Sequence, residues 1–190
     1  MQVTCLFGSP RTNGNSAQIA NHFLTKGQEM GAEVQRFTLN KLNYKGCQGC
    51  DVCKTKLDRC VLDDDLTMVL EAVRKTDILV LSTPVYYADV SSQLKAFIDR
   101  TYSFVDADYM TNPNASRLEK GKKLVFIQTQ EAGSDAFSDV FSKYSLFFSF
   151  YGFDKCEFIQ ACNVGQSSNV QEKIEVFRTA EKIAKSFCND

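Results

Sequence analysis

Short apolar runs alternate with longer amphipathic segments along almost the whole chain. The runs at 77–82 and 123–129 are nearly continuously apolar, which is typical of parallel strands that are covered on both faces. This alternation is the pattern of a sheet built from repeated strand–helix–strand units. We therefore predict five strands, over residues 2–7, 33–39, 77–82, 123–129 and 155–161.

The segments between these strands show helical spacing of their apolar residues. The first segment stops at Gly31, since glycine commonly closes a helix, and the second follows a run of three aspartates whose carboxylates suit the positive end of a helix dipole. The resulting prediction is five helices, over residues 15–30, 65–75, 91–104, 135–153 and 169–188.

Five strand–helix units predict a three-layer α/β sandwich, with a five-stranded parallel sheet and helices on both faces. The flavodoxin-like strand order 2-1-3-4-5 suits five strands better than the six-stranded order of dinucleotide-binding folds. The chain has 190 residues and no repeat, low-complexity segment or Pro/Gly-rich linker, so we expect a single domain over 1–190. Ligands of such sheets bind at the carboxyl ends of the strands, where the strand order reverses.

The composition argues against several classes of function. The formal net charge is -1, whereas proteins that bind nucleic acids or membrane surfaces by electrostatics usually present a basic face. No apolar stretch is long enough to span a membrane, and the amino-terminal sequence lacks the basic region and apolar run of a secretory signal. We therefore expect a cytoplasmic protein with no nucleic-acid or membrane partner, in which the eight cysteines stay reduced.

The stretch GSPRTNGNS, residues 8–16, joins the first strand to the first helix. Backbone N–H groups at the start of a helix, together with the side chains of Ser9, Asn15 and Ser16, make a site suited to an anion. The stretch has neither the lysine of a P-loop nor the G-x-G-x-x-G pattern of dinucleotide sites, which favours a single terminal phosphate. The alternative is an ordinary turn in which Asn15 or Ser16 caps the helix.

Two further loops follow the third and fourth strands. Tyr86 and Tyr87 come soon after Pro84, and paired aromatic rings at a sheet edge suit the face of a flat heterocycle. The alternative is that both rings simply pack over the rim of the sheet. The candidates for a third wall of the same pocket, after the fourth strand, are Thr129, Gln130 and Gly133.

Four of the eight cysteines lie in the stretch GCQGCDVCKTKLDRC, residues 46–60. Cys47, Cys50, Cys53 and Cys60 have the compact spacing of ligands for a [4Fe-4S] cluster. Structural zinc usually takes two separated pairs of ligands, which the last gap does not provide. A cluster, unliganded thiols and zinc all stay open as interpretations. Because the stretch follows the second strand, we expect it at the carboxyl edge of the sheet.

Four motifs in order carry a family resemblance: GSPRTNGNS, GCQGCDVC, DDDL and TPVYYADVSSQLKAFIDRTYSF. Together they resemble the NADPH-dependent FMN reductase and flavodoxin-like oxidoreductase superfamily, and within it most closely the iron–sulfur flavoprotein branch. The resemblance covers about residues 1–105, and the last third of the chain fits by pattern only. The chain departs from the family at YKG, just before Cys47, where the family usually has a proline.

The resemblance implies bound FMN and assigns contacts to it. It places the phosphate against the loop after the first strand, the isoalloxazine ring and ribityl chain against the loop after the third, and further contacts in the segment from Thr129 to Gly133. It implies phosphate ligands Ser9, Arg11, Asn13, Asn15, Ser16 and Ala17; ring and ribityl contacts Pro84, Val85, Tyr86 and Tyr87; and further contacts including Thr129, Gln130 and Gly133.

The function that we expect is transfer of electrons from NAD(P)H, through FMN, to a quinone, flavin or other small acceptor. No catalytic residue is assigned, because the cofactor carries such chemistry, and the single histidine, His22, lies in the first helix away from the expected pocket. One alternative is an electron carrier that relays single electrons from ferredoxin through a [4Fe-4S] cluster to FMN. Another is a non-catalytic FMN-binding regulator. Surplus aromatic residues at 144–153 indicate a homodimer or homotetramer.

Overall fold

The computed structural model describes residues 1–166 and 169–189. Within these residues, one sheet contains five parallel strands in the order β2-β1-β3-β5-β6, and a short sixth strand, β4, pairs antiparallel with the end of β3. The predicted flavodoxin-like order of the parallel strands is confirmed. The six strands are β1 (Gln2–Phe7), β2 (Glu33–Thr38), β3 (Ile78–Tyr86), β4 (Asp89–Val90), β5 (Lys122–Thr129) and β6 (Phe153–Ala161).

The strand order reverses between β1 and β3. These two strands are parallel neighbours, with Val3 opposite Ile78 and Phe7 opposite Ser82. All residues of β1 after Gln2 are buried, as are the first six of β3. Ligands of open α/β sheets bind in the crevice at the carboxyl ends of such a strand pair, so the fold directs attention to the residues that follow β1 and β3.

Helices cover both faces of the sheet, as the sequence predicts. Apolar residues of α1 and α6 pack on one face, and those of α3, α4 and α5 pack on the other. The helices are α1 (Asn15–Glu29), α2 (Val52–Thr55), α3 (Leu66–Lys75), α4 (Ser92–Arg100), α5 (Asp139–Phe150) and α6 (Ile174–Cys188).

Two predicted helices are shorter than expected because tighter turns take over at one end. α4 continues as a 3-10 turn over Thr101–Phe104, and α6 is preceded by a 3-10 turn over Val170–Glu172. The four-residue helix α2 was not predicted, since a single turn shows no repeat of apolar residues.

Left-handed residues set the limits of α5 more narrowly than the sequence predicts. Phe137 has φ 59 just before the helix begins at Asp139. After the helix ends at Phe150, Gly152 with φ 101 turns the chain into β6. Glycine takes such a conformation without the steric cost that a side chain brings.

The end of β3 differs from the prediction, which stopped this strand before Pro84. The strand continues to Tyr86 and turns back into β4, with Val85 opposite Val90. Tyr87 and Ala88 form the turn, and both have positive φ, at 50 and 66. A two-residue hairpin turn usually needs positive φ at both positions, which is why asparagine and glycine are its common residues. The sequence YA carries no such signal, so the hairpin was missed.

None of the helices among the described residues is both long enough and apolar enough to cross a membrane.

The hairpin turn predicts a substitution that stabilises the fold. Ala88 is exposed with φ 66, so Ala88→Gly removes a left-handed alanine without removing a buried contact. We expect it to raise the free energy of unfolding by about 1 kcal/mol. Ala72 in α3 is the control, because Ala72→Gly in a right-handed helix should lower the free energy of unfolding by about 1 kcal/mol. Urea unfolding of both variants measures the effect, and a destabilised Ala88→Gly protein would contradict it.

Candidate functional site

A cavity of about 450 Å³ lies at the carboxyl edge of the sheet, where the loops after β1, β3, β5 and β6 meet. Its size is in the range of small-molecule and cofactor sites. The residues that line it come from all four loops. They are Ser9, Arg11, Gly14, Asn15, Ser16, Pro84, Val85, Tyr86, Tyr87, Ala88, Thr129, Gln130, Glu131, Ala132, Phe137, Val164, Gly165 and Gln166.

The loop after β1 is fixed by close packing at Gly8. Its N–H donates to the carbonyl of Ser82 at 2.8 Å, and its carbonyl accepts from the Ser91 hydroxyl at 2.7 Å. A Cβ atom on Gly8 would lie 2.8 Å from Ser91 Oγ and 3.1 Å from Ser82 O, closer than a side chain tolerates. Glycine is therefore required here for the loop to leave β1 against β3 and α4.

The first turn of α1 contributes residues to the lining of the cavity. Gly14 precedes the helix, and no side chain among the described residues caps it. The Ser9 hydroxyl accepts from the N–H of Arg11 at 3.1 Å, which fixes the loop beside the helix start. Because the first N–H groups of a helix have no acceptor within the helix, an end without a side-chain cap suits a phosphate.

Asn15 lines the cavity but uses its side chain within the protein. Its Nδ2 donates to the Gly165 carbonyl at 3.3 Å, and its Oδ1 accepts from the N–H of Val170 at 3.1 Å. The alternative prediction, that Asn15 or Ser16 caps the helix, does not describe this geometry, because the cap position is Gly14. Asn15 instead ties the start of α1 to the segment after β6.

Tyr86 and Tyr87 stand at the mouth of the cavity. Tyr87 is fully exposed on the hairpin turn, and Tyr86 is 41% exposed. Packing of both rings over the sheet rim, the alternative considered from the sequence, is therefore not what the structure shows for Tyr87. Pro84 and Val85 of β3, both half-buried, precede these residues and also line the cavity.

The wall after β5 is built on buried glutamines. Gln130 Nε2 donates to the carbonyls of Gly133 at 2.7 Å and Ala136 at 2.9 Å, while its Oε1 accepts from Gln128 Nε2 at 2.7 Å. Gln160 Nε2 adds a longer contact to the same oxygen at 3.4 Å. The side-chain amide of Gln130 therefore holds the loop after β5 in place, and Thr129 and Gln130 both line the cavity.

Ten of the thirteen residues proposed from the sequence as cofactor contacts line this cavity, and three do not. Asn13 lines an adjoining cavity that shares Arg11 and Asn15. Ala17 is buried in the core that α1 shares with α6, so only its backbone lies at the helix start. Gly133 contributes its carbonyl to Gln130 and lies outside the lining.

Sequence reasoning missed the segment after β6. Val164, Gly165 and Gln166 line the cavity, yet they follow an irregular stretch with no recognisable motif. Their position along the chain could have identified them, because every loop at the carboxyl edge of a parallel sheet is a candidate for the site.

A second pocket holds the cysteine-rich stretch. Cys47, Cys50, Cys53 and Cys60 all line it, together with residues at the end of α4. Cys47 and Cys50 are exposed, Cys60 is half-buried and Cys53 is buried, and all four are free thiols. No three His, Cys, Asp or Glu side chains in the described part of the chain are grouped closely enough to hold a metal ion. The residue types of the lining, four thiols around one pocket, are nevertheless those that hold a thiolate-bound metal group, which the loop would have to bring closer together.

Two basic side chains, Lys54 and Arg117, lie close enough to the buried Cys53 to affect its pKa. Burial raises the pKa of the Cys53 thiol, and the charges of Lys54 and Arg117 act against that shift. Lys54 donates to the carbonyls of Tyr102 and Val105, its Nζ lies 4.0 Å from the ring centroid of Tyr102, and burial lowers its pKa. Arg117 Nη1 donates to the Cys53 carbonyl at 2.9 Å.

The two pockets lie at opposite ends of α4. Ser91, which caps the start of the helix, contacts Gly8 beside the large cavity. Arg100, its last residue, lines the cysteine pocket. Nine residues of helix span about 13 Å. The cysteine stretch therefore does not stay at the carboxyl edge of the sheet, as we expected, but runs along α4 away from it.

Solved structures show the same fold. An FMN-dependent NADH-azoreductase from Bacillus anthracis, in complex with FMN, has a TM-score of 0.75 and 13% identity, covering 98% of this chain and 99% of that one. An NAD(P)H:quinone oxidoreductase from Methanothermobacter marburgensis has a TM-score of 0.74 and 16% identity, covering 97% and 94%.

Sequence comparison identifies nearer relatives. The chain is 36% identical over 102 residues to an iron-sulfur flavoprotein of Archaeoglobus fulgidus, covering 53% of this chain and 45% of that protein. It is 34% identical over 101 residues to an iron-sulfur flavoprotein of Methanocaldococcus jannaschii, covering 53% and 52%. The matches thus span about half the length of these curated relatives. The model of the NADPH-dependent FMN reductase family matches residues 1–144, and the chain belongs to that family.

Proposed function

We propose that this protein is an FMN-dependent oxidoreductase that transfers electrons from NAD(P)H to a quinone, a flavin or another small acceptor. The observation that carries the proposal is the cavity of about 450 Å³, which has an uncapped helix start at one end and two exposed tyrosines at the other. A phosphate at the helix start and a flat ring beside the tyrosines match the two ends of FMN. Membership of the NADPH-dependent FMN reductase family supports the same cofactor.

The residues present fit FMN in three parts. Ser9, Arg11 and Ser16 would hold the phosphate together with N–H groups of the first turn of α1, including that of Ala17, and Asn13 would approach it from the adjoining cavity. Pro84, Val85, Tyr86 and Tyr87 would hold the ring system. Thr129 and Gln130 would add contacts from the wall after β5, with Gly133 fixing that wall through Gln130.

Bound FMN would supply hydride acceptance and electron transfer at this site. The chain's own residues orient the ring, neutralise the phosphate and limit access of water. Tyr87 stands fully exposed at the mouth, which leaves an open approach for a nicotinamide or a flat acceptor beside the hairpin. The network of Gln128, Gln130 and Gln160 holds the opposite wall rigid through buried hydrogen bonds.

Reduction of bound FMN identifies the electron donor. The protein loaded with FMN under anaerobic conditions should lose its visible flavin absorbance on addition of NADH or NADPH, because the open mouth admits the nicotinamide. Addition of a quinone or of free flavin should then restore the absorbance. A flavin that neither nicotinamide reduces, but that reduced ferredoxin does reduce, would contradict NAD(P)H as donor. A protein that cannot be loaded with FMN would overturn the whole proposal.

A charge substitution tests the phosphate end. Arg11 is exposed and lines both cavities at the start of α1. Arg11→Gln should weaken FMN binding about 10-fold, the usual effect of losing a hydrogen bond to a charged group. Binding of riboflavin, which has no phosphate, should not change. Arg36→Gln, on the edge strand β2, is the control and should leave both affinities unchanged. Equal losses for FMN and riboflavin in Arg11→Gln would place the phosphate elsewhere.

A second candidate function is electron relay, in which a [4Fe-4S] cluster passes single electrons from ferredoxin to FMN. The observation that favours it is the shared pocket of Cys47, Cys50, Cys53 and Cys60. The matched proteins of Archaeoglobus fulgidus and Methanocaldococcus jannaschii are named iron-sulfur flavoproteins, which supports the same interpretation. The exposed Cys47 and Cys50 lie on the side that a protein donor would reach.

If the relay is correct, the iron content of the protein should depend on the cysteines of the stretch 46–60 and not on the other cysteines. The wild-type protein, purified or reconstituted without oxygen, should contain iron and acid-labile sulfide. Cys47→Ser should lose most of both while FMN binding stays unchanged, because Cys47 does not line the FMN cavity. Cys156→Ser is the matched control, since Cys156 lies in β6 outside the cysteine pocket, and it should keep the iron. Flavin without iron or sulfide in the wild type would contradict the relay.

We further propose that residues 1–190 act as one FMN-binding domain in the cytoplasm. Leu146, Phe147 and Phe150 are exposed on α5, and contiguous apolar residues of this kind usually mark a contact surface. They support a homodimer or homotetramer formed through α5.

A further inference from the structure

Arg100, the last residue of α4, is a charged side chain with almost no contact with solvent. The residue is 1% exposed, and its side chain is 0% exposed. A buried guanidinium requires partners for its N–H groups, because removing it from water is otherwise strongly unfavourable. The acceptors that the N–H groups of Arg100 contact therefore show what this side chain does in the fold.

Two nitrogens of Arg100 hold the two ends of the cysteine-rich stretch. Nη1 donates to the carbonyl of Lys45 at 2.9 Å, directly before Gly46, and also to Asp64 Oδ2 at 2.9 Å. Nη2 donates to the carbonyl of Leu62 at 3.1 Å, on the other side of Cys60. The residues that carry all four cysteines thus form a loop whose ends converge on one guanidinium.

Asp64 secures this arrangement. Burial acts to raise its pKa, but hydrogen bonds from Arg100 and from the backbone N–H groups of Lys45 and Leu66, together with the charge of Arg100, lower the pKa overall. The carboxylate therefore stays ionised at neutral pH and neutralises the guanidinium. The ion pair, with 2.9 Å between Nη1 and Oδ2, therefore holds the Arg100 side chain in position.

The third nitrogen of Arg100 is different. Nε is buried and has no hydrogen-bond partner among the described residues, and Arg100 lines the pocket of the four cysteines. Buried donors without a partner are rare in folded proteins, and each one calls for a missing acceptor. Thiolate and sulfide sulfurs are the acceptors that a four-cysteine pocket would supply.

We propose that Arg100 is a positioning residue for a sulfur-ligated metal cluster: it clamps both ends of the cysteine loop and donates its remaining Nε–H to a sulfur of that cluster. The inference rests on the second candidate function, the relay. A hydrogen bond to sulfur stabilises the reduced, more negative state of a cluster and so raises its reduction potential. Arg100 thereby sets both the retention and the potential of the group.

Arg117 provides a matched comparison. It also touches the cysteine loop, through the Cys53 carbonyl, and it bonds Asp106, but it does not line the cysteine pocket. A purely structural role in holding the loop is therefore shared by Arg100 and Arg117, whereas a donor to sulfur is expected of Arg100 alone.

The test compares Arg100→Lys and Arg117→Lys with the wild type after anaerobic reconstitution. Lysine keeps the charge but has neither the planar fork nor Nε–H. Arg100→Lys should shift the cluster potential to a more negative value and lose iron to a chelator about 10-fold faster, as is typical when a group that hydrogen-bonds to the metal ligands is lost. Arg117→Lys should leave the potential unchanged. FMN binding by each variant checks that the chain is folded.

A measurement on the wild type tests the hydrogen bond directly. The reduced cluster, in protein labelled with ¹⁵N at arginine Nε, should show a ¹⁵N hyperfine coupling in pulsed electron paramagnetic resonance, since Arg100 lines the cysteine pocket. This measurement tests the hydrogen bond from Arg100 to the cluster even if the Arg100→Lys protein fails to fold. Absence of the coupling overturns the inference, as does an Arg100→Lys protein with unchanged potential and iron retention.

The outcomes for Arg100 and for the relay are distinguishable. A wild-type protein that takes up no iron or sulfide overturns the relay, and the role of Arg100 toward a cluster falls with it. A wild-type protein that holds a cluster, together with an unchanged Arg100→Lys variant, overturns only the role of Arg100.

Discussion

The contact of Gly8 with Ser82 and Ser91 is the constraint on which both pockets depend. It holds the end of β1 against β3 and against the start of α4, with a further bond from the Ser91 N–H to Thr83 Oγ1 at 3.0 Å. On one side of this joint, the loops after β1 and β3 line the cavity proposed for FMN. On the other side α4 leads to Arg100, which holds the cysteine loop. One tight junction therefore fixes the position of both pockets relative to the sheet.

The parallel sheet was predictable from the sequence because its signal is local and strong. Buried strands such as 77–82 and 123–129 must be apolar throughout, and the helices between them repeat at helical spacing. The hairpin at Tyr87 and Ala88 was not predictable, since its left-handed turn uses residues that do not favour that conformation. The pairing of β3 with β4 imposes this turn, and the conformational preferences of tyrosine and alanine do not predict it.

The cavity was located correctly because parallel strands bring their following loops to one edge, but individual roles needed side-chain geometry. Asn15 has a residue type suited to phosphate, yet its amide serves Gly165 and Val170. The cysteine loop was misplaced for a related reason. Its path is set by long-range bonds from Arg100, and such contacts leave no periodic pattern in the sequence.

If both proposed functions hold, the separation of the pockets along α4 would let one flavin serve two kinds of electron donor. A nicotinamide would approach the ring beside Tyr87, whereas a protein donor would reach the exposed Cys47 and Cys50 at the other pocket. Neither approach blocks the other, because the two pockets share no lining residue. The two proposed functions are therefore sterically compatible in one chain, and what distinguishes them is whether the cysteine pocket holds a metal cluster.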